Sequence, residues 1–549
     1  MASTNTNHLL QERVSYIASI TPADTKDADG FKDGTTPLDI EGGALREGGA
    51  LDYTSAEVMT LIFQYAVVGL CYGGLSSMKY PVLTMFFRLE AATLSSATGL
   101  MSLGWSFKVF YGMLSDCFPI MGYSRKPYIL LGWILTALCL VIIAVKPTGD
   151  AVNDDSSAED NKTAQSNGSL LALLCAVACF CYIMADVACD AMVVEYAQRE
   201  PDNVRGRLQA TIYGTRFCFQ GLATAVSGFG MSSARYGGEF SFDMSVNAFF
   251  WILAVPVLVN IPLVFFFLKD RKRGAIHFGV YFSEVYGLIQ KRAVWQVMCF
   301  SFSFNLFSSG ITSWAGSYIP VYWAKVEPIN SSIAGILSYM LMALTLFVVG
   351  KWGTNWSWRF ILVSTTLTAS AIDAVAQFLT IYDVVRNQWF YLGVPLTEYV
   401  PLGIQFVIST FVIVELAGDG NEGLMYGLLT TVGNLPSVFG SMITNVYCTQ
   451  LKVSKADIKT DTDEVRNQAA YSYLIVYATT IVACMCTLIL PPQKAAVKEL
   501  LTNGGKYPIV GTFIIIAVFG VLCVSVTATL MSMFESTQCY ILAGGSGCD

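Results

Sequence analysis

Apolar runs about twenty residues long recur along almost the whole chain after residue 55, each long enough to cross the ~30 Å hydrocarbon core of a bilayer. A segment of that kind leaves its backbone amides without water, so they must be satisfied inside a helix. Composition agrees: 54% of the 549 residues are hydrophobic and 13% are charged, against about 25% charged in average soluble chains. The sequence therefore predicts an all-α polytopic membrane protein.

Breaks at charged or Pro/Gly-rich stretches place six spans at 57–85, 93–115, 128–145, 170–195, 206–230 and 245–268. Six more follow at 295–319, 332–350, 359–381, 389–415, 422–446 and 471–490, and an extra apolar run occupies 509–534. The expected organisation is an acidic, disordered cytosolic tail (1–55), a first six-helix bundle (56–268), a cytosolic central loop (269–294) and a second bundle (295–490). A cytosolic linker (491–508), the extra helix (509–534) and a short tail (535–549) complete it. The N-terminal tail holds Asp24, Asp27, Asp29, Asp33, Asp39, Glu41 and Glu47 and has no apolar core. It lacks a signal-peptide apolar region and is too acidic for a transit peptide.

Net charge is −7, with no nucleic-acid footprint. The fifteen cysteines lie mostly inside spans, and the only histidines are His8 and His277. No metal site and no cofactor are expected. Cys539 and Cys548 would pair if the tail is extracellular.

Lys and Arg in short loops set orientation. With a cytosolic N-terminus, the inner loops hold Arg125 and Lys126, then Arg199, Arg205 and Arg207, then the basic cluster from Lys269 to Arg273. Sequons at Asn161, Asn167 and Asn330 then all fall outside as glycosylation candidates, whereas the one at Asn355 would be cytosolic and unused. The plasma membrane is the expected location. The KDRKRG stretch after the sixth span reads as a solvated topogenic loop.

Ionisable residues inside spans are few, and such residues face a bundle interior or an aqueous cavity. Asp186 and Asp190 stand four apart in ADVACDAMVVEYA, which puts them on one helical face. Arg216 lies in the antiparallel fifth span at similar depth. Two carboxylates facing one guanidinium leave one carboxylate without a full partner, and a desolvated carboxylate beside a like charge is suited to take up a proton. The alternative is an ion pair that only pins the fourth and fifth spans in register. Lys108, in the second span, either reaches the pathway or snorkels to the inner surface. Asp373 could cap a small polar cluster in the ninth span; Arg88 and Glu90 read as interfacial.

Between the second and third spans, GMLSDCFPIMGYSRKPY carries Gly112, Asp116, Gly122, Arg125 and Lys126. In stretched form these reproduce the G-x-x-x-D…G-R-K loop of the major facilitator superfamily, whose cations tie an inner gate through breakable ion pairs. Glu195, Arg205 and Gly206 follow the fourth span, and Glu415, Glu422 and Gly423 echo them in the second half, as expected of an internal repeat.

With FKVFYGMLSDCFPIMGYSRKPYILLGW, with ADVACDAMVVEYAQ followed by RGRLQATIYGTRF, and with GNEGLMYGLLTTVGNLPSVFG, the chain resembles the folate–biopterin transporter family within that superfamily over about residues 57–490. The resemblance implies a 6+6 helix bundle and uptake of folates or pterins, with a proton as coupling ion and the bilayer as setting. Many members have proline where this chain has Val109. Independently of the family, Arg216 and Lys108 could receive carboxylates, a buried aspartate could accept two hydrogen bonds from an amino-pyrimidinone edge, and Tyr213, Phe217 and Phe219 are available for stacking. A carrier of another solute (sugar, amino acid or nucleoside) is the alternative. An intramembrane aspartyl protease is rejected, because Asp383 falls in an outer loop and Asp419 in an inner one. The expected role is transport, not enzymatic catalysis.

Overall fold

The computed structural model describes residue 44 and residues 51–540 except 90–99, 102–103, 153–157, 202, 237, 273, 275–276, 327, 418–421, 532–535 and 538, together with residue 547. Glu90, Asp419, Cys548 and most of the acidic tail fall outside the described residues.

Ser55 accepts a hydrogen bond from the Val58 amide and so starts α1 (Ala56–Ser77), which runs on into a π-helical stretch, Lys79–Phe86. The rest of the first half is α2 (Lys108–Cys117), α3 (Lys126–Val145), α4 (Ala158–Ala197), α5 (Arg207–Gly230) and α6 (Val246–Phe267). A short helix, α7 (Phe278–Ile289), crosses the central connection. The second half holds α8 (Arg292–Asn305), α9 (Ala315–Tyr322), α10 (Pro328–Val348), α11 (Trp358–Ile381), α12 (Gln388–Leu416), α13 (Glu422–Cys448), α14 (Lys455–Thr460) and α15 (Asp463–Cys486). It is followed by α16 (Lys494–Asn503) and α17 (Pro508–Met531). Among the described residues nine helical stretches are long and apolar enough to cross a membrane. The chain is a multi-pass integral membrane protein. Polar residues, among them the buried Gln209, Arg216 and Gln220, keep α5 out of the nine.

α1 packs on α5 and α6, and α3 on α4 and α6, to form the first bundle; α12 receives α10 and α11, and α11 also packs on α15, in the second. The most extensive contacts between the bundles are those of α5 with α10 and of α2 with α13, and α4 also packs on α13. Glycine sets how closely two of these contacts approach. A Cβ on Gly69 of α1 would meet the Arg216 carbonyl oxygen at 2.3 Å, and one on Gly427 of α13 would meet the Lys108 carbonyl oxygen at 3.1 Å. Both glycines thus fix the helices that carry cations. Inside the first bundle Gln64 and Asn260 exchange hydrogen bonds of 2.8 and 2.9 Å, and Trp133 Nε1 donates to Gln64 Oε1 at 2.6 Å. These three buried side chains join α1, α6 and α3 without leaving a polar group to face lipid.

Several elements differ from the sequence expectation. The run 295–319 is not one helix: α8 ends in a π-helical turn, Leu306–Gly310, and α9 starts only at Ala315. Gly310 lies against the Pro436 carbonyl of α13, and the Thr312 amide is satisfied by Thr444 Oγ1 at 2.9 Å. A break at membrane depth is tolerated where neighbouring protein supplies such partners. The central connection and the linker before α17 each contain a helix, α7 and α16. Asn161 and Asn167 lie on the long N-terminal extension of α4 rather than in a loop; Asn161 is exposed. Asn330 is 8% exposed in the first turn of α10, and its Nδ2 donates to Gln388 Oε1 at 2.8 Å, so it is not presented as an acceptor for a glycan. α17 lies on the outside of the bundle, with only 12% of its apolar window buried. Cys539 is disulfide-bonded.

At the end of the second half that carries α14, Asp461 closes that helix in a left-handed conformation (φ 50°). Arg386 grips both its oxygens at 2.5 and 2.8 Å, and Arg466 Nε adds a bond of 2.9 Å. Those arginines, Arg386 first, hold the Asp461 carboxyl down at about 2. A lowered carboxylate stabilises the fold above its unfolded value of about 3.9, and that contribution is lost as pH falls through the folded value. Hydrogen-exchange protection over residues 455–466 is therefore expected to drop as pH falls from about 4 toward 2. In Asp461→Asn the segment is expected to be less protected at neutral pH and to lose that acid step; an unchanged acid step in the variant would assign it to another group.

Candidate functional site

α4 turns Asp186 and Asp190 to the same side, one turn apart, and both are completely buried. Lys108, the first residue of α2, is only 3% exposed and does not snorkel. Its Nζ bridges the two carboxylates, at 2.9 Å from Asp186 Oδ2 and 3.2 Å from Asp190 Oδ2. Arg216 of α5 approaches Asp186 Oδ1 with Nη1 at 3.6 Å, inside ion-pair range but longer than a hydrogen bond. Asp190 Oδ1 instead accepts from Tyr65 at 2.6 Å and Tyr213 at 2.8 Å, and the Tyr213 hydroxyl meets that of Tyr426 at 2.6 Å. The expectation of two carboxylates around one guanidinium is thus corrected. Two carboxylates face two cations, and the cluster is balanced.

In front of the cluster, between the two bundles, lies a cavity of about 610 Å³. Lys108, Arg216, Tyr72, Trp105, Phe406, Gln405 and Tyr426 are in its wall. Asp186 and Asp190 are not; they stand behind the cations, so the expectation that the aspartates themselves line the pathway does not hold for this conformation. Trp105 carries both cations, with Lys108 Nζ 4.8 Å and the Arg216 guanidinium carbon 5.2 Å from its ring centre. Arg216 Nε and Asp186 Oδ1 are buried without a hydrogen-bond partner. The guanidinium is therefore the less committed of the two cations, and its loose pairing suits it to accept an incoming anion. Tyr213 is consumed by Asp190 and is not open for stacking, whereas Phe217 lies in the cavity wall edge-on to Phe406.

The gate residues form a second constellation at one end of the molecule. Arg125, fully buried, is paired with Asp116, donates to Ser115 Oγ at 2.9 Å and stands 3.5 Å from Glu195. Asp116 reaches across to the second half, accepting from the Leu424 amide at 3.0 Å, and from Tyr281 of α7 at 3.2 Å. Arg205 meets Glu415 at 2.6 Å, and Lys494 Nζ of α16 donates to the Arg205 carbonyl at 2.8 Å. Both halves are tied together at this end. Gly112 is buried in α2, and Gly122 takes a left-handed turn (φ 81°). Lys126 takes no part in the ion pairs described: its amide is capped by Asp270, and its Nζ lies 5.7 Å from the Phe265 ring centre. Glu422 opens α13, and its side chain lies outside the described residues.

Asp373 lies apart from both constellations, in a separate cavity of the second half together with Glu398. Tyr65, Tyr426 and Glu398 escaped the sequence reading. A lone glutamate inside the apolar run 389–415 is a signal that could have exposed Glu398. Nothing local in the sequence marks Tyr65, 125 residues from Asp190, or Tyr426, which meets Tyr213 from 213 residues away.

A family model described as the BT1 family matches residues 69–508. The chain is 23% identical over 429 residues to a folate-biopterin transporter of Synechocystis sp., covering 72% of this chain and 76% of that one. It is 26% identical over 151 residues to the probable folate-biopterin transporter 4 of Arabidopsis thaliana, covering 28% and 26% of the two chains. A 59-residue stretch is 37% identical to folate transporter 1 of Plasmodium falciparum, covering 11% and 12%. Among solved structures, a D-xylose-proton symporter aligns with a TM-score of 0.52 at 13% identity, over 80% of this chain and 98% of that one. The human organic anion transporter MFSD10 aligns at 0.51 and 13% identity, over 77% and 99%. At such identity these two speak for the fold alone. The chain belongs to the BT1 family and is a membrane transporter of major-facilitator architecture, not an enzyme.

Proposed function

We propose that this transporter carries folates, and with them unconjugated pterins, by alternating access coupled to protons. The observation behind this reading is the cavity wall, where Lys108 and Arg216 face inward with Asp186 and Asp190 directly behind them. A substrate carboxylate entering there competes with the aspartates for the same two cations. Once it binds, negative charge exceeds positive charge in a dry site, and protonation of one aspartate restores the balance. Proton uptake is thereby linked to anion binding. Either aspartate can serve, because the pair shares Lys108. The gate network supports alternating access: its cross-half bonds, Asp116 to Leu424 and Arg205 to Glu415, must break for that end to open. The names of the Synechocystis and Plasmodium relatives support folate as substrate class. The basic inner loops support a cytosolic N-terminus, and the plasma membrane is the location we assign.

Uptake of labelled folate by cells expressing the protein tests the substrate class. Excess unlabelled folate or biopterin is expected to suppress it, while sugars, amino acids and nucleosides leave it unchanged. Absence of folate uptake, together with saturable uptake of a solute from those other classes, would overturn the assignment.

A further inference from the structure

The cavity of the second half, about 490 Å³, holds two carboxylates, Asp373 of α11 and Glu398 of α12. Among the described residues no Lys or Arg side chain pairs with either. Asp373 is 8% exposed; its Oδ1 accepts from Gln377 Nε2 at 3.1 Å and its Oδ2 from Tyr477 at 2.8 Å. Each of those oxygens keeps a lone pair for another donor. Glu398 is accessible within the cavity and has both oxygens to offer. A second observation points to a ligand. Gln377 is 6% exposed, lines the same cavity, and its Oε1 has no hydrogen-bond partner. Buried acceptors are normally satisfied, so the orphaned Gln377 Oε1, beside an accessible Glu398 and an Asp373 with lone pairs to spare, describes half of a binding site. What is missing is a group rich in N–H.

This cavity adjoins the one walled by Lys108 and Arg216, for Leu402 and Gln405 belong to both walls. The pathway is therefore bipolar, with cations on the first-half side and free acceptors on the second-half side. We propose that Asp373, Glu398 and Gln377 form the subsite for the donor-bearing heterocycle of the substrate, its 2-amino group and ring N–H, while one carboxylate of the substrate lies at Lys108 and Arg216. This rests on the folate reading above and extends it by fixing which way the substrate points. An amino-pyrimidinone edge presents two parallel N–H donors, which match the two oxygens of one carboxylate and leave a further donor for Gln377 Oε1. Asp186 and Asp190 do not fill this role, because their oxygens face Lys108, Arg216, Tyr65 and Tyr213.

Two competitors separate the ends of the substrate. Biopterin carries the heterocycle without carboxylates; p-aminobenzoylglutamate carries the carboxylates without the heterocycle. Each is titrated against labelled folate uptake by the wild type, Glu398→Gln and Asp373→Asn, and half-inhibition concentrations are compared because they do not depend on how much protein is expressed. In the wild type both compete. In Glu398→Gln, whose side chain is accessible and whose fold should be undisturbed, the biopterin value is expected to rise about tenfold, with that of p-aminobenzoylglutamate nearly unchanged. Asp373→Asn, if it reaches the membrane, should show the same split. Wild-type uptake that neither compound inhibits would refute the folate reading and this proposal with it. Inhibition of the wild type by both, with an equal shift or no shift of the two compounds in Glu398→Gln, would refute the subsite alone. So would a changed pH or sodium dependence with the competitor ratio intact, which would make the pair a cation site.

Discussion

Lys108→Met is expected to abolish folate uptake and to cut the amount of folded protein. Methionine keeps the length and removes the charge that bridges both aspartates, at 2.9 and 3.2 Å. Asp190 would keep its two tyrosine donors, but Asp186 would retain only the loose approach of Arg216 as a cation, at 3.6 Å. Removing one partner of a buried ion cluster costs about 3–5 kcal/mol, because the opposite charge is left uncompensated. A second substitution separates stability from transport. Adding Asp190→Asn to Lys108→Met restores charge balance, so abundance should recover while uptake stays lost. Surface abundance and normalised uptake of the single and double variants check both statements. Full uptake by the single variant would remove Lys108 from the pathway.

A comparable loss is expected from Asp116→Ala. The loop taken alone suggests a variant that folds normally and only gates badly. The structure argues otherwise, since Asp116 is 3% exposed and Arg125 fully buried. Losing the carboxylate strands that guanidinium beside Glu195, which stands at 3.5 Å, and frees the Leu424 amide across the gate. The cost should approach about 3–5 kcal/mol and be softened by Glu195. Abundance should therefore fall together with uptake. In the protein that does reach the membrane, Cys117, 2% exposed among Tyr281 and Leu424, should react faster with a maleimide, by about tenfold for a shift of about 1.4 kcal/mol toward the open gate. Mass spectrometry at Cys117 reads this directly. Normal abundance with unchanged Cys117 labelling would separate the Asp116–Arg125 pair from the gate.

Much of this was legible in sequence for a physical reason: lipid forces a simple code of length and hydropathy on each span. The i, i+4 spacing of Asp186 and Asp190 and the short connection to α5 were enough to bring Arg216 to the same depth. Lys108 was harder, because a long flexible side chain near a helix end can turn either way and only the packing of α2 on α13 decides. The break after α8 was hidden in an apolar run that looked continuous; its cause, the approach of Gly310 to Pro436, is a tertiary contact. The tyrosine partners of Asp190 come from α1, α5 and, through Tyr213, from α13, and no local pattern announces them. Glu398 was visible as a lone acid in an apolar run but carries meaning only beside Asp373 and Gln377.

A substrate anion that displaces the aspartates from Lys108 and Arg216 leaves a gap for a proton to fill. Proton uptake on binding tests it most directly. Purified transporter in weakly buffered detergent solution near neutral pH is mixed with saturating folate while a pH indicator follows the solution. Net uptake of about one proton per folate bound is expected, sharply reduced in whichever of Asp186→Asn and Asp190→Asn removes the proton carrier. Folate binding of full stoichiometry with no proton taken up by the wild type would contradict it.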